Sequence, residues 1–270
     1  MNTHRNSLRR YFFVIALAGA ALFCGTRARF QAQQKPIPRL ANGKPDFSGV
    51  WEHSNVASLA NNSDVCGGYS NAAGIDTSRP GCKQVGAGPL PYSEAGLAAK
   101  KAAADFDQHE NCWPWGFMQL FGTPFPHAYV HSTERLVILW EQDNAFMMVP
   151  TDGSKFPEDL DPTWRGTSVG HWEGETLVIE TAGFNGKAWI AGKDVNSDAM
   201  KITQRMSYID ANHIQTEFTF DDPKYYTKPF KNTRIFQRMA KGQELYEYFC
   251  HENNRCVGGN CTASDIQKNP

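Results

Sequence analysis

The chain has 270 residues, of which 41% are hydrophobic and 12% aromatic, and its formal net charge is −1. That is enough apolar material for one sizeable core, and the charge balance offers no basic field for nucleic acid or anionic lipid.

The first predicted element is a leader. "HRNSLRR" at 4–10 is basic, "YFFVIALAGAALF" at 11–23 is apolar, and small or polar residues follow. The pattern predicts a signal peptide over 1–32 and export to the periplasm or the medium, and Arg9-Arg10 is compatible with the twin-arginine route. The apolar run falls short of the roughly 20 residues that span a bilayer, so no membrane span is expected. Residues 33–44 read as a polar linker, 45–261 as a single domain and 262–270 as a tail.

Beyond the leader stand Cys66, Cys82, Cys112, Cys250, Cys256 and Cys261. An even number in an exported chain predicts disulfides, and proximity favours Cys66–Cys82, Cys112–Cys250 and Cys256–Cys261. A zinc site would call for close pairs such as C-x-x-C, which the sequence lacks.

The domain opens on "PDFSGVWE", with Phe47, Val50 and Trp51 as apolar anchors. Residues 52–126 read as a loop and helix insertion: a Gly/Ser/Asn-rich loop, then the Ala-rich "YSEAGLAAKKAAADFDQ" with Ser93 as N-cap, the one helix expected. Next, "CWPWGFMQLFGTPFPH" at 112–127 concentrates Trp and Phe between Pro and Gly, too interrupted for a regular strand or helix. It reads either as a hydrophobic loop anchoring Cys112 or as a plug over a barrel mouth. A plug would offer Trp113, Trp115, Phe117 and Phe121 to a small apolar or aromatic guest.

From residue 127 the pattern is β. "HAYVH", "ERLVILWE", "AFMMVP", "SVGHWE", "ETLVIET", "ITQRMSYI", "HIQTEFTFD", "TRIFQRM" and "ELYEYFC" are candidate strands with short turns between them. Such a meander predicts an all-β, up-and-down, lipocalin-like barrel, since closure removes exposed edges and the interior can hold one small ligand. Trp140 and Met147 join the candidate ligand contacts. In the hairpin "SVGHWEGETLVIETAGFN" Gly174 supplies the turn, and the period of two leaves two readings. Either Trp172, Leu177 and Ile179 fill the interior and His171 faces solvent, or the His171 face lines the lumen.

Three functions follow. The first is an exported enzyme in which Glu141 exchanges a proton with His131 or His171, with Tyr129 or Arg205 as donor, acting as a lyase, isomerase or hydrolase on a small apolar or aromatic molecule. The second is a binding or carrier protein for such a molecule, without turnover. The third is a metalloenzyme using His127, His131 and His171 on a transition metal. His127 and His131 lie about 13 Å apart along one strand, so no cofactor is the main expectation. "GTSVG" resembles a nucleophile elbow, but a strand follows where that motif needs a helix. No phosphate-loop, dinucleotide or H-E-x-x-H motif is present.

"PDFSGVWE", "WRGTSVGHWEGETLVIETAGFN", "DDPKYYTKPF" and "YEYFCHENNR" together resemble a family of functionally uncharacterised exported bacterial proteins, over most of residues 45–255. The resemblance implies export and a mostly β fold, and no reaction. Its pattern also carries a Glu at the position of Glu141. This chain departs from it in having His171 where the family has Arg before Trp-Glu-Gly, and Met-rich "FMMVP" where a basic strand is usual, which implies a pocket remodelled towards His and Met.

Overall fold

The computed structural model describes residues 35–52, 89–104, 108–109 and 111–250. The chain divides into two compact units, 1–35 and 36–270, and only Lys35 of the first lies among the described residues. The expected signal peptide, the tail and the pairs Cys66–Cys82 and Cys256–Cys261 fall outside them.

The described residues of the second unit are nearly all β. Its strands are β1 (Gly49–Glu52), β2 (His127–His131), β3 (Arg135–Trp140), β4 (Phe146–Pro150), β5 (Thr167–Glu173), β6 (Thr176–Ala182), β7 (Trp189–Ala191), β8 (Asp194–Val195), β9 (Lys201–Asp210), β10 (His213–Asp221) and β11 (Phe230–Arg238). Helix α1 (Glu94–Ala103) is the expected one, and the Ser93 hydroxyl caps it by accepting the Gly96 N–H at 3.1 Å. A one-turn helix α2 (Phe117–Leu120) forms inside the aromatic segment that the sequence suggested was irregular.

Nine strands form one sheet in the order β4-β3-β2-β1-β11-β10-β9-β6-β5, and β7–β8 is a separate hairpin. Every ladder is antiparallel, and neighbours on the wall follow one another along the chain except where β6 meets β9 and β1 meets β11. This is an up-and-down meander, nearly closed. Because nine is odd, strict alternation brings β4 and β5 to the seam pointing the same way. There the Ser168 hydroxyl donates to the Met147 sulfur at 3.1 Å, and the Gly153 N–H donates to the Gly170 carbonyl at 3.0 Å. A Cβ on Gly170 would stand 3.0 Å from the Pro150 carbonyl oxygen, so glycine is what lets the two edges approach.

Two expectations need correction. "ELYEYFC" is not the ninth strand; both sides of β11 are already taken, by β10 and β1, so the backbone of 244–250 finds no ladder partner. It runs instead as an irregular strap. The Tyr246 N–H donates to Glu141 at 2.9 Å, the Asn144 side-chain amide donates to the Tyr248 carbonyl at 2.8 Å, and a Cys112–Cys250 disulfide ties the strap's end. The ninth strand is "GVWE". Nor are residues 36–44 a free linker: they turn at Leu40–Lys44 and dock on the β5–β6 turn, where Arg39 pairs with Glu175 and Lys44 donates to the Gly174 carbonyl at 3.0 Å.

Both ends of the barrel are stoppered by aromatic rings. At one end Phe47 stacks on His131, Trp172 and Tyr208, with centroids 5.6, 6.1 and 5.2 Å away. At the other, Phe117 and Phe121 reach inward, Phe121 meeting Trp140 at 5.0 Å, Phe218 at 5.4 Å and Phe236 at 5.7 Å. The aromatic segment is thus a plug, and burial of its rings supplies the apolar contact that holds it.

A candidate ligand site in the barrel interior

The alternation of each strand decides which candidates face inward. His127, Tyr129 and His131 are the buried residues of β2, so all three point into the barrel. On β5, Trp172 packs against the core while the His171 ring, 3.4 Å from Glu173, stands on the outer surface, where Glu173 also pairs with Arg205 at 2.7 Å. Arg205 and then His171 hold the Glu173 carboxyl below its ordinary range. His171 and Arg205 therefore belong to a solvated ion-pair cluster and do not meet the lumen.

Glu141 is buried, but not beside a histidine. The β2–β3 register sets His131 against Leu136 and His127 against Trp140. Glu141 is thus five residues along β3 from the level of His131, roughly 16 Å at about 3.3 Å per residue. Its carboxylate fastens the strap through Tyr246 and lines a surface cleft of about 290 Å³ with Pro126, Met239, Gln243, Glu244 and Tyr246. The Glu141–His131–His171 proton-transfer set is not assembled. Nor is the three-histidine metal set, because His171 lies outside and the other two are four residues apart on one strand. Among the described residues no group of three or more His, Cys, Asp or Glu converges to hold a metal ion.

His131 has a defined chemistry of its own. Burial pushes its pKa down to about 4, against a smaller opposing pull from Asp46. The ring is therefore neutral at pH 7, and its Nδ1 accepts the Phe47 backbone N–H at 3.3 Å. That bond places the proton on Nε2, which is buried and has no hydrogen-bond partner among the described residues. His131 consequently offers a donor to the interior and no basic lone pair. The Tyr129 hydroxyl is a second unpartnered group among the described residues, with a pKa raised by burial and by neighbouring Tyr208. Tyr208 itself donates to the Asp46 carbonyl at 2.5 Å and accepts from Arg238 at 2.8 Å.

The opposite wall carries polar groups that the sequence reading did not single out. Gln204, Thr216, Asn232 and Arg234 are buried on the inward faces of β9, β10 and β11, exposed by 0, 1, 0 and 0%. Register places them in two adjacent rows, Gln204–Phe218–Asn232 and Met206–Thr216–Arg234. Buried Ser168 and Thr181, hydrogen-bonded at 2.8 Å, extend the arc towards the seam. Burial pulls the Arg234 guanidinium down to about 9. Among the described residues, both amide atoms of Gln204 and the Thr216 hydroxyl have no hydrogen-bond partner. The signal was in the sequence: "ITQRMSY", "HIQTEFTF" and "NTRIFQR" each place polar residues among large apolar ones of the same parity.

The proposed ligand contacts Phe117, Phe121, Trp140 and Met147 are all part of one buried cluster. Trp115 packs against it, stacks on His109 at 4.2 Å and donates its backbone N–H to Asp143 at 3.3 Å. Trp113 lies farther out, edge-on to Trp164 at 5.3 Å.

The chain matches no protein-family model and no curated protein. Among the described residues no helix is long and apolar enough to cross a membrane, and the Cys112–Cys250 disulfide is compatible with an exported protein.

Proposed function

We propose that the protein is an exported barrel that binds a small, largely apolar molecule in its interior, held between the polar arc of β9–β11 and the aromatic plug. The supporting observation is that, among the described residues, buried hydrogen-bonding atoms of Tyr129, His131, Gln204 and Thr216 lack partners in an interior that also holds a large apolar cluster. Each such group costs roughly 1–3 kcal/mol, and a fold selected for packing alone would replace it with an apolar residue. A ligand with matching polar atoms recovers that cost, as is usual for pockets in small barrels. Binding is preferred to acid–base turnover because His131 presents a proton rather than a lone pair and Glu141 is engaged elsewhere.

The test is native mass spectrometry of protein purified gently from the periplasm. A stoichiometric small molecule that leaves on denaturation is the expected result. A bare polypeptide mass would overturn the reading, and one bound transition metal would put the histidine-metal function in its place.

A further inference from the structure

We infer that the ligand carries a neutral edge with one hydrogen-bond donor beside one acceptor, as in a carboxamide or lactam, on a flat apolar body. This rests on the interior-binding reading above and adds the chemical class. The argument begins with which groups have hydrogen-bonding capacity left. Asn232 and Arg234 have interactions of their own within the chain, so the polar arc is not defined by a free cation. Gln204 and Thr216 are the members whose side-chain atoms find no hydrogen-bond partner among the described residues. A glutamine amide presents a carbonyl acceptor and an NH₂ donor side by side, and the group that satisfies both at once is another donor–acceptor edge. A carboxylate would satisfy the NH₂ and leave the carbonyl facing a second acceptor.

The surroundings set the rest of the ligand. On the inner wall Gln204 is directly opposite Ile179 on β6 and Phe218 on β10, and Thr216 is opposite Met206. Antiparallel register makes Gln204 and Thr216 diagonal neighbours, about 7–8 Å apart, so one polar edge can engage both. Phe218 in turn meets Phe117 and Phe121 of the plug, at 6.4 and 5.4 Å. A flat ring entering here is faced by aromatic edges, with its polar edge turned to β9 and β10.

The experiment is calorimetric titration of the mature protein with three matched probes, benzamide, benzoate and toluene, repeated on Gln204→Leu. Benzamide is expected to bind at least tenfold tighter than the other two, and Gln204→Leu to abolish that preference while keeping toluene binding. Tightest binding of benzoate or toluene, or a benzamide preference that survives Gln204→Leu, would overturn the class and leave interior binding standing. If none of the three binds, both readings fall. The melting temperature of ligand-free Gln204→Leu gives an independent readout. It should rise by several degrees, since an unsatisfied buried amide is removed, and a fall would mean that Gln204 is satisfied within the fold and is no ligand group.

Discussion

Strands β3 and β4 are apolar inside and, but for Arg135, outside too, whereas β9, β10 and β11 are mostly polar outside and carry polar residues inside as well. On the first pair Leu136, Ile138, Trp140, Met147 and Val149 are buried, while Phe146 and Met148 stand 60 and 51% exposed on the outer surface. On the second set the outer face holds pairs such as Lys231–Glu217 at 2.8 Å, and the inner face holds Gln204, Thr216, Asn232 and Arg234. The contrast separates two meanings of an out-of-place residue. An exposed apolar side chain costs the fold little, because the unfolded chain exposes it too. A buried, unpartnered polar one is a standing cost, which the proposed ligand would repay on binding.

The largest expected effect is on the apolar wall. Ile138→Ala should destabilise the protein by about 2–5 kcal/mol through lost transfer energy and the cavity left behind, measured by denaturant unfolding under oxidising conditions. A loss below about 1 kcal/mol would mean that the β3 interior is loosely packed and the wall can collapse around a void.

The next effect concerns His131 and is a function of pH. Its pKa is about 4 in the fold and 6.5 when exposed, so between these values the unfolded chain binds the extra proton. Stability from this group is complete above pH 6.5, and is lost progressively as the pH falls through the window towards 4. The full loss is about 3 kcal/mol, from roughly 1.36 kcal/mol per pKa unit. In His131→Asn, which keeps an acceptor for Phe47 but cannot titrate, urea midpoints should be flatter across that window. An unchanged slope would assign the acid sensitivity to other groups.

The smallest effects belong to the outer surface. Phe146→Ser and His171→Ala should each change stability by no more than about 0.5 kcal/mol, and neither should alter the ligand retained in native mass spectra. If His171→Ala released the ligand, the assignment of the outer face would be wrong.

Much of the architecture was legible before any coordinates. Period-two runs located β2 to β6 and β9 to β11 to within a few residues, because burial of one sheet face imposes that period on the sequence. Ser93 marked the start of α1, and the aromatic segment was legible as irregular and apolar because of its Pro and Gly residues, while the choice between plug and Cys112-anchoring loop stayed open. The strap was misread because "ELYEYFC" has strand periodicity, and periodicity says nothing about whether a sheet edge is available. "GVWE" was too short to declare itself, yet it closes the meander between β2 and β11.

The site was less legible than the fold. His131 and Tyr129 were named from residue type, and the fold put both inside. Glu141 was named as His131's partner, but strand register, invisible in one sequence, sets the two at different levels of the wall. For His171 the sequence allowed either face, and the decision came from Trp172, whose ring packs with Phe47 and His131 at the stoppered end.

What the sequence determined by itself is therefore the local alphabet: strands, one capped helix, a turn at Gly174 and an aromatic segment interrupted by Pro and Gly. These follow from short-range periodicity and backbone preference, which each segment carries on its own. Tertiary structure alone decided which face of β4 and β5 is inside, which strands meet at the parallel seam, and that Gln204 and Thr216 share one wall. Those outcomes depend on pairing between residues far apart in the chain, and on the odd strand count that sets how the barrel closes.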